Sequence, residues 1–155
     1  VAHAIALRVL ALRPHSRAEL ERKLARRGCD PLVAAEVLDR LAEVGLVDDA
    51  AYAQMLVQSR SRTNGLSGAA LRRELREKGV DDELATTAIG SLDDETERAR
   101  AEELVAKKLR TMGGLDPQVQ ARRLAAMLAR KGYPSGVAYA VVRDAVNAAA
   151  EHRRD

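Results

Sequence analysis

The sequence predicts an all-α fold of three tandem three-helix units forming an elongated, curved array. Three observations carry that prediction: a helix-favouring composition, a threefold internal repeat, and a lack of strand-favouring aromatic residues. Of 155 residues, 29 are Ala and 20 are Leu, while Phe and Trp are absent and Tyr occurs three times. Ala, Leu, Glu and Arg favour helices, and small residues let helix backbones pack closely. The repeat is SRAELERKLARRG from Ser16, SGAALRRELREKG from Ser67 and QARRLAAMLARKG from Gln120. Leu20, Leu71 and Leu124 coincide, as do Leu24, Leu75 and Leu128, then Arg27, Lys78 and Lys131, then Gly28, Gly79 and Gly132. The paired leucines lie at i and i+4 on one helix face. The cation meets the negative end of the macrodipole, and the glycine supplies a left-handed C′ residue.

The elements follow in chain order. A first helix runs over Ile5 to Leu12, the repeated segment from Ser16 forms the second, and Asp30-Pro31 supplies N-cap and N1 of a third that carries Val37, Leu38 and Leu41. In the second triplet, Tyr52, Met55, Leu56 and Ser59 at i, i+3, i+4 and i+7 define the buried stripe of the long helix. The repeat from Ser67 follows, and Asp81 or Asp82 opens a helix carrying Ile89 and Leu92. The third triplet has a helix from about Ala99 to Leu109, the repeat from Gln120, and a helix opened by Ser135 that carries Val142 and Val146. Residues 62–68 and 112–117 read as loops because of Asn64, Gly65, Gly68, Gly113, Gly114 and Pro117. The expected units are 1–47, 48–96 and 97–155, each about fifty residues and too small to be stable with ease unless packed on a neighbour.

Few residues invite a catalytic reading. Asp48-Asp49, Asp81-Asp82 and Asp93-Asp94 each precede a predicted helix, where capping explains them without chemistry. His3, His15 and His152 lack i, i+4 partners and are expected to face solvent. Cys29, the single cysteine, cannot form an internal disulfide, and no Cys/His spacing matches a zinc site. Phosphate-loop, dinucleotide and zinc-protease motifs are absent, so neither an enzyme nor a bound cofactor is expected. No apolar run reaches the length of a membrane span and no signal peptide is recognisable, so a cytoplasmic setting is expected.

Charge is more informative. Net charge is +3, but residues 98–155 hold 12 basic and 6 acidic side chains. Arg60, Arg62, Arg72, Arg73 and Arg76 cluster in the middle triplet, where the first triplet has Glu21, Arg22 and Ala25 opposite the last three. Lys107, Lys108, Arg110, Arg122, Arg123, Arg130 and Lys131 form a second cationic set. Such side chains attract phosphates, but exposed aromatics for base stacking are scarce, which argues against single-strand binding of the stacking type. The helix after each turn is also poor in base-reading side chains, which disfavours major-groove recognition by a tandem helix-turn-helix.

The segment Gly45-Leu46-Val47-Asp48-Asp49-Ala50-Ala51-Tyr52-Ala53, with SRAELERKL upstream, SRSRTNGLSGAALRRELREKGV downstream and ARKGY at 129–133, resembles the RecX family of regulators of the RecA recombinase. The resemblance spans essentially the whole chain and rests on the order and spacing of degenerate helical patterns. It implies a cytoplasmic, non-enzymatic monomer that binds RecA, free or as filaments on single-stranded DNA, and inhibits ATP hydrolysis and strand exchange. Both cationic sets would then form the contact surface, with weak binding to single-stranded DNA. The alternative is a helix-turn-helix-like protein that acts by binding DNA directly.

The array makes one prediction about shape. A compact globule of this length has a radius of gyration of about 15 Å. Small-angle scattering should return a value several ångströms larger, and the compact value would remove the array.

Overall fold

The computed structural model describes residues 1–92 and 94–154, with the side chains of 62–64, 94 and 153–154 outside the description. Among the described residues the elements are nine helices and no strand: α1 (Ala2–Leu12), α2 (Arg17–Arg26), α3 (Pro31–Glu43), α4 (Asp49–Asn64), α5 (Gly68–Glu77), α6 (Asp82–Ile89), α7 (Asp94–Leu109), α8 (Pro117–Arg130) and α9 (Ser135–Arg154). No described helix is long and apolar enough to cross a membrane.

The chain divides into two compact units. The first comprises Val1–Gln58 and Arg72–Ile89, the second Ser59–Leu71 and Gly90–Asp155, so the division falls inside α4 and α5. In the first unit α1 and α2 pack on α3 around Ala6, Leu20, Leu24, Leu38 and Leu41. In the second, α7, α8 and α9 pack on one another around Ala101, Val105, Leu124, Leu128, Val141 and Val142. All six repeated leucines are at most 1% exposed, which places both positions of every pair in a core.

The repeat is stopped in the same way each time. Gly28, Gly79 and Gly132 have φ of +77°, +75° and +88°. Across each of them the next residue's N–H donates back to the second repeated leucine: Cys29 to Leu24, Val80 to Leu75 and Tyr133 to Leu128, at 3.0–3.1 Å. This is the Schellman stop expected of a glycine at C′. The three glycines differ in surroundings. A Cβ at Gly28 would meet nothing, whereas one at Gly132 would lie 2.6 Å from Ala70 Cβ and 2.8 Å from Ala70 N, and one at Gly79 would run into Ala18. Gly79 and Gly132 are therefore needed for close approach as well as for their backbone angle.

That approach seats one helix start against another helix end. In the first unit the Ser16 hydroxyl donates to the Lys78 carbonyl oxygen at 2.6 Å. In the second, the Ser67 N–H donates to the Lys131 carbonyl oxygen at 3.0 Å. A carboxylate from elsewhere then accepts from the first N–H of the seated helix: Asp49 from Arg17 at 2.8 Å, and Glu97 from Gly68. Orphan amides at helix starts are thereby satisfied by distant residues.

Several sequence expectations need correction. The stripe of α4 consists of Tyr52, Ala53, Leu56, Val57 and Ser61, while Met55 and Ser59 are exposed. Ala53 is fully buried while the larger Met55 is exposed, so the inward face is rotated from the one the larger residues suggest. In α6 the buried residues are Ala85 and Ala88, with Ile89 half-buried and Leu92 beyond the helix end. The loop expected at 112–117 is present over 112–116, and only its last residue differs: Asp116 caps α8 by accepting from Gln118 N–H and Pro117 is N1. Likewise α4 continues to Asn64, which leaves 65–67 as the connection. Helices α1 and α7 begin at Ala2 and Asp94, earlier than their apolar patterns indicate. Asp30 caps α3, Asp48 caps α4 and Asp81 caps α6, as the capping argument anticipates, whereas Asp93 and the side chain of Asp94 lie outside the described residues.

Leu71 and Leu75 are both fully buried, Leu71 in the second unit and Leu75 in the first. Truncation of either to Ala should cost about 2–5 kcal/mol. Denaturant melts that place both variants within about half a kcal/mol of the parent would contradict the packing.

Candidate functional site

Two buried ionisable groups, Glu19 and His15, lie in the first unit. Glu19, on α2, is 7% exposed, and its carboxylate lies 2.9 Å from Arg13 and 3.8 Å from Lys78. It also accepts from the Ser16 N–H at 3.0 Å, while Ser16 Oγ accepts from the Glu19 N–H at 3.2 Å, which completes a capping box. Burial alone would raise the Glu19 pKa, but hydrogen bonds from Arg13, Ser16 and Tyr52 outweigh it and hold the carboxyl at about 2. Burial, with Glu19 beside it, pushes the Tyr52 phenol up to about 12. A carboxyl so firmly ionised and fully partnered cannot serve as a general acid near neutral pH, and it fixes the start of α2 instead.

His15 is 4% exposed, against the expectation that it faces solvent. Its Nδ1 donates to the Arg13 carbonyl oxygen at 2.8 Å, and its Nε2 has no partner among the described residues. Burial is the largest cause that lowers its pKa. The short link between α1 and α2 folds the ring inward, a consequence of tertiary packing rather than of residue type. His3 and His152 are exposed. No group of three or more potential metal ligands occurs among the described residues.

The sequence-predicted cations fall into distinct settings. Arg72 is half-buried and donates to Thr86 Oγ1 at 3.0 Å, and Arg76 lies 3.9 Å from Asp82, so both are tied to α6. Arg60 and Lys131 are half-buried and already engaged with the protein. The side chain of Arg62 lies outside the described residues. Arg73, Lys107, Lys108, Arg110, Arg122, Arg123 and Arg130 are exposed and have no ion pair with a described residue. Six of these seven belong to the second unit. The structure brings Lys108, Arg123 and Arg130 together around a cleft of 280 Å³ floored by Met112, Ala126 and Met127. Lys107 lines a separate cleft with Arg100 and Ser61. Helix-end electrostatics account for Lys107, Lys108 and Arg130 but not for Arg123, which sits in the middle of α8.

The sequence reading did not single out Glu19, although Ser16-x-x-Glu19 is a legible capping-box spacing, nor Gln120, a 1% exposed amide that donates to the Met112 carbonyl oxygen at 2.8 Å. Neither belongs to the cationic set.

The titration behaviour generates a two-step prediction. A group whose folded pKa is depressed adds stability above its unfolded pKa, and that stability is lost as pH falls through the folded value. For His15 the loss begins below the ordinary histidine value of 6.5. For Glu19 it spans 4.5 down to about 2 and amounts to about 3 kcal/mol. Glu19→Gln should remove the lower step and leave the upper one. A variant whose acid melting profile overlays the parent below pH 4.5 would show that the Glu19 network does not stabilise the fold.

Comparison with known proteins places this geometry. Family models for the first, second and third three-helix domains of RecX match residues 2–41, 48–89 and 95–142. Regulatory protein RecX of Amycolatopsis mediterranei (strain U-32) is 46% identical over 143 residues, covering 92% of this chain and 82% of that protein. The Streptomyces coelicolor protein of the same name is 49% identical over 145 residues, covering 94% and 77%. That of Mycobacterium tuberculosis (strain ATCC 25177 / H37Ra) is 46% identical over 157 residues, covering 99% and 90%. Among solved structures, the crystal structure of RecX from Lactobacillus salivarius shares the fold with a TM-score of 0.81 at 20% identity, covering 92% of this chain and 93% of that one. Since three family domains are matched in order along the sequence and these relatives approach half identity over nearly all of it, the chain belongs to the RecX family of regulatory proteins.

Proposed function

We propose that this protein regulates homologous recombination and DNA repair in the cytoplasm by binding RecA filaments on single-stranded DNA and inhibiting RecA ATPase and strand exchange, with no catalytic chemistry of its own. Membership of the RecX family supports RecA as the partner. The observation that carries the contact is the set of exposed cations without an ion pair to any described residue, six of them in the second unit. An exposed cation that pairs with nothing in its own fold keeps its full charge for a polyanion or an acidic protein surface. Many weak contacts of this kind add through avidity when the target is a polymer with repeated sites.

The three units expected at 1–47, 48–96 and 97–155 are retained as functional modules of this reading. The cations divide the work within it. Arg73 meets RecA, as the remaining unengaged member of the middle trio, while Arg122, Arg123 and Arg130 on α8 supply weak attraction for DNA phosphates.

RecA ATPase on saturating single-stranded DNA tests the reading. The protein should inhibit at ratios below one per RecA, at concentrations that leave naked DNA unoccupied. Arg73→Glu should weaken inhibition with little change in melting, because Arg73 is exposed and bonded to no described residue. It is a cleaner probe than Arg72 or Arg76, whose links to α6 would be lost as well. Replacing Arg122, Arg123 and Arg130 by Glu should flatten the log–log salt dependence of DNA binding by about 2–3 units. Inhibition that appears only when DNA itself is saturated would favour direct competition for DNA, and undiminished inhibition by both variants would assign these cations to solvent.

A further inference from the structure

The three tyrosines are used differently. Tyr52 and Tyr133 are buried, whereas Tyr139 on α9 is 67% exposed, in a chain otherwise almost devoid of aromatic rings. Tyr139 lines a 310 Å³ groove between α8 and α9 within the second unit. The Arg143 guanidinium lies over its ring, 5.7 Å from the centroid. Val142 and Val146 form part of an apolar wall, and Gln118 and Asn147 also border the groove. Both amides are exposed, and neither side chain bonds to a described residue. The lining includes a cation and no carboxylate; Asp144, which pairs with Arg143 and Arg98, lies outside it.

Each feature points to the same ligand chemistry. A tyrosine with a guanidinium plane beside an apolar wall is a surface on which a planar ring stacks. Carboxamides offer a donor and an acceptor side by side, which matches the edge of a base. A cationic lining suits a ring carried on a polyanion. An apolar protein side chain would use the wall and leave both amides unanswered. Nothing in the fold requires an aromatic ring at position 139, since the residue is mostly in solvent.

We propose that the α8–α9 groove around Tyr139 and Arg143 receives a single unstacked base of single-stranded nucleic acid. One such site is compatible with the scarcity of aromatics, which excludes a stacked track of successive bases but not one pocket. The proposal rests on the single-strand contact in the functional reading above and requires no RecA.

The test uses the full chain and fluorescence anisotropy at low salt, with an oligothymidylate and an abasic strand of equal length and phosphate number. The parent should bind the base-bearing strand at least about fivefold more tightly, the low end of what one stacked base contributes. Tyr139→Ala should abolish that preference while leaving melting and the salt slope unchanged, and Tyr139→Phe should retain it. Equal binding of both strands, no binding of the thymidylate strand, or a preference that survives Tyr139→Ala overturns the proposal and leaves the groove to an apolar protein segment. A parent that discriminates the strands yet fails to inhibit RecA would sink the regulatory reading alone, whereas inhibition without discrimination would sink only this one.

Discussion

The arrangement of the middle helices depends on one recurring contact, in which the carbonyl of a helix-ending lysine receives a hydrogen bond from a serine at the start of another helix. Lys78 receives Ser16 in the first unit and Lys131 receives Ser67 in the second. The contact is possible only because the next residue is glycine: a side chain at Gly79 or Gly132 would collide with the first turn of the seated helix. The same glycines turn the chain so that the following N–H reaches Leu75 or Leu128, which are also core residues. Stopping a helix, seating another and burying a leucine are thereby performed by three consecutive parts of one motif. Gly28 has the first and third of these duties without the second, and the space around it is open.

Around the first of these contacts the protein has placed its most strongly held charge. Glu19 joins the capping box to Lys78, whose backbone already receives Ser16, so a local cap and a contact 62 residues apart in sequence are reinforced by one carboxylate. Such an arrangement spends an ionised group on structure. Lys107, Lys108, Arg122, Arg123 and Arg130 are the opposite case: exposed and without an ion pair to any described residue. Charge that holds the fold and charge that faces solvent are separated by burial.

Much of this was legible in the sequence where the cause is local. The paired leucines, the C′ glycines and the Asp30-Pro31 start depend on residues within one or two turns, and each was found in place. Asp116-Pro117 carries the same signal as Asp30-Pro31 and was obscured by the two glycines just before it. The rotated face of α4 illustrates a different difficulty, since Ala53 and Met55 exchange the roles that hydrophobicity alone assigns them. The burial of His15 and the attachment of Arg72 and Arg76 to α6 depend on how separate helices meet, which periodicity does not encode. Of the cationic surface, the residue types were legible, but which of them remain without partners was not, because Thr86 and Asp82 are recruited by packing.

The tyrosines show why a count of residue types is a weaker guide than their placement. Burial pushes the Tyr133 phenol up to about 12, and its hydroxyl donates to the Gly65 carbonyl oxygen across 68 positions at 2.6 Å. Gly65 in turn faces Leu104, where a side chain would meet Leu104 Cδ1 at 2.7 Å. That ring is therefore committed to holding the α4–α5 connection against the second unit's core. Tyr52 is committed in the same sense to the Glu19 network. A sequence with three aromatic rings and two of them consumed by polar, buried contacts has one left whose position the fold does not explain, and it stands beside an arginine on the most basic part of the chain. Composition sets how many stacking surfaces a protein can have; burial decides which ring is available to be one.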